Sequence, residues 1–200
     1  MRKIVVLTFV SLDGVMQAPG GREEDLSGGF KYGGWTVPYS SPSDNTMNEQ
    51  MSMPFDLLLG RKTYEIFAAY WPKQKEGVIA TSLNNAKKYV VSDSNIDLTW
   101  DGSILIKDDV VAKLKALKEQ DGPMLQVHGS SVLIQTLLKN DLVDELWLKI
   151  FPVTLGKGKR LFGEGAIPAA FELTESKTLP SGVIVANYKR AGAVKTGSFD

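Results

Sequence analysis

Three short stretches, Ile4 to Val10, Phe55 to Leu59 and Met124 to Val127, are dominated by apolar residues and are too short to be buried helices. A run of that length, covered on both faces, reads as a strand of a mainly parallel sheet. Two of the runs end in glycine-led openings, Gly60-Arg61-Lys62-Thr63 and Gly129-Ser130-Ser131. Helical spacing follows each opening. Tyr64, Phe67, Ala68 and Trp71 fall at i, i+3, i+4 and i+7, with Pro72 closing the segment, and Leu133, Ile134, Leu137 and Leu138 form a second stripe. Strand, glycine turn, helix, strand is the grammar of βαβ units, whose crossovers are right-handed and whose helices lie on the faces of the sheet.

The rest of the chain extends this pattern. Residues Gly14 to Pro42 carry three Gly-Gly pairs interleaved with Phe30, Tyr32, Trp35 and Tyr39 and have no steady period, which predicts a long binding loop or lid. From Ser43 onward Met47 and Met51 lie four apart, and Thr46 with Glu49 offers a capping box for a short helix. Tyr89 to Val91 and Ile104 to Ile106 read as strands. Val110, Leu114 and Leu117 mark a helix capped by Asp108 or Asp109 and stopped at Gly122-Pro123. Glu145 to Val153 is a further strand. Phe171, Leu173, Glu175, Lys177 and Leu179 alternate, and Pro180-Ser181-Gly182 turns the chain into Val183 to Tyr188, a hairpin signal. The expected architecture is one α/β domain over residues 1–190, a mostly parallel central sheet with an antiparallel C-terminal hairpin and helices on both faces, and a flexible tail at 191–200.

Charge and composition narrow the partners. Basic and acidic residues are equal at 23 each, so no net field favours nucleic acid or an anionic membrane. There is no cysteine and only one histidine, His128, which removes thiolate metal sites and leaves no cluster at metal-ligand spacing. The cysteine-free composition fits a reducing compartment, and a cytoplasmic protein is expected. The apolar start, Ile4 to Leu7, is broken at Asp13 before a secretory core is complete.

In an open α/β sheet, ligands bind beyond the carboxyl ends of the strands, where helix N-termini offer free backbone N–H groups to anions. Gly60, Arg61, Lys62 and Thr63 place a flexible residue, two cations and a hydroxyl at one such end; Gly129, Ser130 and Ser131 place a glycine and two hydroxyls at another. Taken singly, the first opening reads equally well as an ordinary helix cap, and the second reads more readily as a cap than as a phosphate site. Together they suit a dinucleotide, whose phosphates need separate anchors.

Ser11-Leu12-Asp13-Gly14, the run Leu58 to Glu65 and the stretch from Val127-His128-Gly129-Ser130 through Leu142-Val143-Asp144-Glu145-Leu146 resemble the dihydrofolate reductase superfamily. Pro152-Val153-Thr154-Leu155-Gly156-Lys157-Gly158 and Leu161-Phe162 are similar to the branch that contains the reductase domain of the bifunctional riboflavin-biosynthesis deaminase-reductase. The resemblance implies NADPH as cofactor, with Arg61 and Thr63 at its phosphates, Ser92 near the adenosine 2′-phosphate and Gly129 to Ser131 under the pyrophosphate. It also implies a homodimer, a small planar heterocycle of pteridine or pyrimidine type as substrate, and a Gly14 to Pro42 loop that covers the site.

Two departures bear on the substrate. Leu7 stands where the riboflavin enzyme usually carries a lysine, removing a cation from the pocket, and the acid that folate reductases place on the helix after the first loop has no clear counterpart among Asp44 and Glu49. Asp13 and Asp44 are the candidate catalytic residues, although Asp13-Gly14 also reads as a turn and Asp44 as a helix cap. Trp35 and Tyr39 are read as stacking on a planar ring or anchoring the loop, Trp71 and Trp147 as packing, and His128 as a structural imidazole. The leading expectation is an NADPH-dependent reductase of a planar heterocycle. A nucleotide- or pterin-binding protein without efficient catalysis is the second, and a ligand-free scaffold the third.

Overall fold

A computed structural model of the chain describes residues 1–41, 44–163 and 166–199. The last residue of the predicted loop, Pro42, and the predicted start of the following helix, Ser43, lie outside them. Eight strands form one sheet in the order β4-β3-β2-β5-β1-β6-β8-β7. The strands are β1 Ile4–Ser11, β2 Phe55–Gly60, β3 Lys88–Val91, β4 Ser103–Ile106, β5 Met124–Val127, β6 Glu145–Phe151, β7 Phe171–Thr178 and β8 Ile184–Arg190. All ladders are parallel except β6–β8 and β8–β7. This is the dihydrofolate reductase-like arrangement that the sequence leads one to expect.

The central strands are buried on both faces, as their unbroken apolar runs require. Leu57, Leu58 and Leu59 are each fully buried, and each contributes roughly 2 kcal/mol by leaving water. Alternation decides which core each joins. Val5, Leu7, Leu57 and Leu59 pack with Met51, Tyr64 and Leu83, which come from α1 (Thr46–Met51), α2 (Arg61–Tyr70) and α3 (Val78–Asn85). Ile4, Val6 and Leu58 face Leu114, Leu117, Leu133 and Leu137, carried by α4 (Val110–Glu119) and α5 (Ser131–Lys139). The loop after β1 makes a third cluster in which Val15, Phe30 and Trp35 pack on Phe151 and Val185. Among the described residues no helix is long and apolar enough to cross a membrane.

Several boundaries differ from the sequence reading. Helix α3 was not signalled, because its apolar residues Val78, Ile79, Ala80 and Leu83 are few and no polar cap precedes them; Gly77, at φ +94°, starts it instead. The capping box at Thr46 does not form. Thr46 lies inside the first turn, and Asp44 Oδ1 accepts from both its N–H (2.9 Å) and its hydroxyl (2.6 Å). Asp109 is the N-cap of α4, but in a left-handed conformation and with no side-chain hydrogen bond. Strand β6 ends at Phe151 rather than Val153. The alternation predicted for β7 is broken by a register shift between Leu173 and Glu175, and the strand is exposed from Glu172 to Thr178 because it is an edge.

Candidate active site

The β1–β5 ladder is registered from Ile4 opposite Leu125 to Val6 opposite Val127, while β1 continues to Ser11 paired with β6 alone. Beyond Val127 the sheet parts, and a cavity of about 380 Å³ opens between the end of β1 and the starts of α2 and α5. The position is the crevice at the carboxyl ends of neighbouring strands in which α/β folds hold ligands.

The two glycine openings meet on one side of this cavity. Gly60 N–H donates to Gly129 C=O at 3.3 Å, joining the end of β2 to the turn after β5. A Cβ at Gly60 would collide with the Ser130 hydroxyl, and one at Gly129 would lie 2.7 Å from Thr63 Oγ1. Glycine is therefore required at both positions by close approach. Lys62, Thr63, Gly129, Ser130 and Ser131 line the cavity. Ser130 is also the N-cap of α5, accepting from Leu133 N–H at a long 3.5 Å, so the ordinary capping role and a place on the cavity wall coexist.

Gly60, Arg61 and Ser92 sit just outside that lining. Arg61 is exposed, donates to Ser94 Oγ at 3.3 Å and lies 3.7 Å from Glu65. Ser92 Oγ donates to Ser94 C=O at 2.8 Å. These residues form a polar ledge at the ends of β2 and β3.

His128 lines the cavity beside Phe67, ring centroids 6.0 Å apart. Gln126 Nε2 donates to Gln50 C=O at 3.4 Å, which turns Gln126 Oε1 towards His128 Nε2 at 3.1 Å. That pairing assigns the proton to Nε2. Burial lowers the imidazole pKa to about 4, so the ring is neutral near pH 7. Trp71, read from the sequence as packing, also lines the cavity, whereas Trp147 is buried in the core and donates to Glu145 Oε2.

The structure does not bring the two candidate acids to the cavity. Asp13 Oδ1 accepts from the Ser11 hydroxyl (2.6 Å) and Leu155 N–H (3.1 Å), Oδ2 accepts from Gly156 N–H (2.8 Å), and Arg160 donates to its backbone carbonyl. Burial pushes this carboxyl up, but those donors outweigh it and hold its pKa below the usual value. Asp44 caps Thr46 and pairs with Lys149 at 3.0 Å; desolvation raises its pKa, and the Thr46 and Lys149 contacts bring it below normal. Both carboxylates fasten loops to the sheet. Trp35 and Tyr39 stay off the cavity as well, both packing edge-on against Phe151.

The other side of the cavity comes from the loop after β1. Gln17 is the knot: its amide nitrogen donates to Asp25 C=O (3.0 Å) and Ser27 C=O (2.9 Å), while its amide oxygen accepts from Lys159 N–H (3.0 Å). Lys159 Nζ pairs with Asp25 Oδ2 at 2.5 Å. Burial opposes charge on Asp25, but hydrogen bonds from Lys159 and Ser27 prevail and lower its pKa to about 2. Glu24 Oε2 accepts from Gly20 N–H (2.7 Å) and Gly21 N–H (3.1 Å). Glu24, Asp25 and Lys159 all line the cavity, and none was singled out from the sequence. Asp25 and Lys159 lie 134 residues apart, and no local pattern marks either.

The family model of the RibD C-terminal domain matches residues 2–185 of this chain. The chain belongs to the RibD C-terminal domain family. The uncharacterized protein YyaP of Bacillus subtilis is 27% identical to this chain over 191 residues, covering 94% of each protein. Solved structures with the same fold include a putative riboflavin biosynthesis protein from Shewanella sp. PV-4, with a TM-score of 0.73, 23% identity and coverage of 96% of this chain and 99% of that one. A pyrimidine reductase-like protein from Corynebacterium diphtheriae has a TM-score of 0.63, 16% identity and coverage of 95% and 92%. Dihydrofolate reductase from Enterococcus faecalis, complexed with NADP(H) and RAB-propyl, has a TM-score of 0.59, 18% identity and coverage of 94% and 96%. For this RibD-type domain the cavity divides into a side of backbone N–H groups, hydroxyls and Lys62, suited to anions, and an apolar side carrying two half-buried carboxyls, Glu24 and the Lys159-paired Asp25.

Proposed function

We propose that the protein is an NADPH-dependent reductase of a small planar nitrogen heterocycle. The observation that carries this reading is the convergence of Gly60 and Gly129 on each other at the mouth of one cavity. It brings the starts of α2 and α5 side by side, so that their free backbone N–H groups and the Thr63 and Ser130 hydroxyls can serve one anionic ligand. The residues fit the group: Lys62, Thr63, Ser130 and Ser131 would hold the pyrophosphate, and Arg61 with Ser92 the 2′-phosphate. When bound, a reduced nicotinamide supplies a hydride.

The chain's own part is placement and exclusion of water. Leu7, Phe9, Met16, Met47 and Phe67 line the cavity and make it suited to a flat ring. Neutral His128 offers an unprotonated Nδ1 beside it, following from the Nε2 bond to Gln126. Leu7 in this lining supports a substrate other than the riboflavin pathway's own.

Oxidation of NADPH in the presence of a panel of pteridines and pyrimidines tests the proposal. Acceleration by at least one unphosphorylated ring is expected. Tight NADPH binding with no accelerating ring would instead favour a binding protein of the same fold, and absence of NADPH binding would remove both.

The homodimer belongs to the same proposal. β7 is a sheet edge, and antiparallel self-pairing centred on Ser176 sets Glu175 of one copy opposite Lys177 of the other, twice. Sedimentation of the wild type against Lys177→Glu checks it: the wild type should be dimeric and the variant, with like charges facing, monomeric.

A further inference from the structure

The anion-binding side of the cavity is accounted for by the dinucleotide, but the polar groups on the β1 side are not. There the lining is apolar at Leu7, Phe9, Met16 and Ala18, with Glu24, Asp25 and Lys159 set into it. Lys159 and Asp25 neutralise each other at 2.5 Å, and both polar atoms of the Gln17 amide are spent on backbone groups. Glu24 is different. Its Oε2 takes two glycine N–H groups, and its Oε1 accepts no hydrogen bond among the described residues. Desolvation raises its pKa against those two N–H bonds, and Asp25 raises it further. The other titratable groups on the lining are Lys62 and His128, both on the α2 and α5 side. This half of the cavity thus offers one incompletely satisfied carboxyl and no uncompensated cation.

We propose that Glu24 is the specificity-determining residue of this half, pairing through Oε1 with the N–H edge of an unphosphorylated nitrogen heterocycle and repelling any ligand that carries a phosphate there. The proposal rests on the preceding reading, in which the opposite half holds the dinucleotide. The physical basis is asymmetric. A carboxylate in an apolar wall gains a charge-assisted hydrogen bond from an amidine-like N–H, whereas a phosphate placed beside it meets like charge in a poorly screened site. Gly20 and Gly21 hold Oε2 in place, so the free oxygen is oriented before ligand arrives.

The test uses the full chain saturated with NADP+, so that the phosphate side is filled, and two probes, 2,4-diaminopyrimidine and uridine 5′-monophosphate. Binding is read by calorimetry and by quenching of tryptophan, since Trp71 lines the cavity. The wild type should bind the diaminopyrimidine roughly tenfold or more tightly than the nucleotide. Glu24→Gln keeps a carbonyl for Gly20 and Gly21, and should lose roughly tenfold in diaminopyrimidine affinity while NADP+ affinity is unchanged. Should that variant melt too early to titrate, the wild type suffices: calorimetry in buffers of different ionisation heat should show a proton exchanged when diaminopyrimidine binds to the NADP+-saturated chain. Equal probe affinities in wild type and variant, a preference for the phosphorylated probe, or no proton exchange would overturn the assignment of Glu24. If NADP+ itself fails to bind, the dinucleotide reading falls and takes this proposal with it; if NADP+ binds and Glu24 does not discriminate, this proposal alone falls.

Discussion

The two sides of the cavity are built by different means. On the α2 and α5 side the functional surface is backbone at the ends of strands, fixed by the sheet itself: Gly60 and Gly129 touch because β2 and β5 are hydrogen-bonded neighbours. On the β1 side the surface is side chains of a long loop, held by a few polar contacts around Gln17, Asp25 and Lys159. The first is rigid because moving it means breaking a ladder. The second depends on individual hydrogen bonds, each worth about 1 kcal/mol net and more when one partner is left buried and unpaired. A dinucleotide recurs across substrates and suits a fixed cradle, whereas the ring that reacts varies and suits a loop whose residues can change without disturbing the sheet.

The sharpest way to break this contrast is Gly129→Val. Its Cβ would fall 2.7 Å from Thr63 Oγ1, so NADPH affinity should drop on the order of a hundredfold, with a stability loss of about 1–3 kcal/mol. Fluorescence titration and urea melts measure the two effects; retention of wild-type affinity would mean that this side is not the rigid cradle described.

Acid should act next, through His128, which stands where the sheet parts. Burial lowers its pKa from 6.5 to about 4. Between those values the unfolded chain binds a proton that the folded chain refuses. Stability is therefore full above pH 6.5 and declines as pH falls towards 4, by about 2 kcal/mol after discounting for the partly exposed ring. Urea melts across that window should show a shallower decline in His128→Asn.

Gln17→Leu sharpens the comparison from the loop side. It strands two carbonyls and one N–H, and should cost between about 1 and 2 kcal/mol. Heterocycle binding should weaken with little change in NADPH affinity, and equal loss of both ligands would show the two sides to be one cooperative unit. The smallest effect is expected from Arg61→Ala on the exposed ledge: about tenfold for NADPH and less than twofold for NADH. Equal losses would remove Arg61 from the 2′-phosphate.

Much of this contrast was visible in residue order. The runs ending at Leu59 and Val127 identified central strands because only a strand buried on both faces dispenses with polar residues at every second position. The glycine openings then identified the helix starts. Asp13 and Asp44 misled because a carboxylate beside a glycine or a helix start is equally suited to fastening a turn, and here both do so. Trp71 was placed correctly on its helical stripe, but the stripe faces both core and cavity at its end.

The sequence by itself determined the order of the strands and of every helix but α3, the parallel class of the sheet, and the two glycine openings, since each follows from local periodicity or from the unique sterics of a residue without Cβ. Only the tertiary structure decided which carboxyls face the cavity. Glu24 and Asp25 are ordinary loop acids until Lys159, 134 residues away from Asp25, and the Gln17 amide fold them against the end of β1. A group's solvation and charge partners are properties of that three-dimensional neighbourhood and of no local pattern.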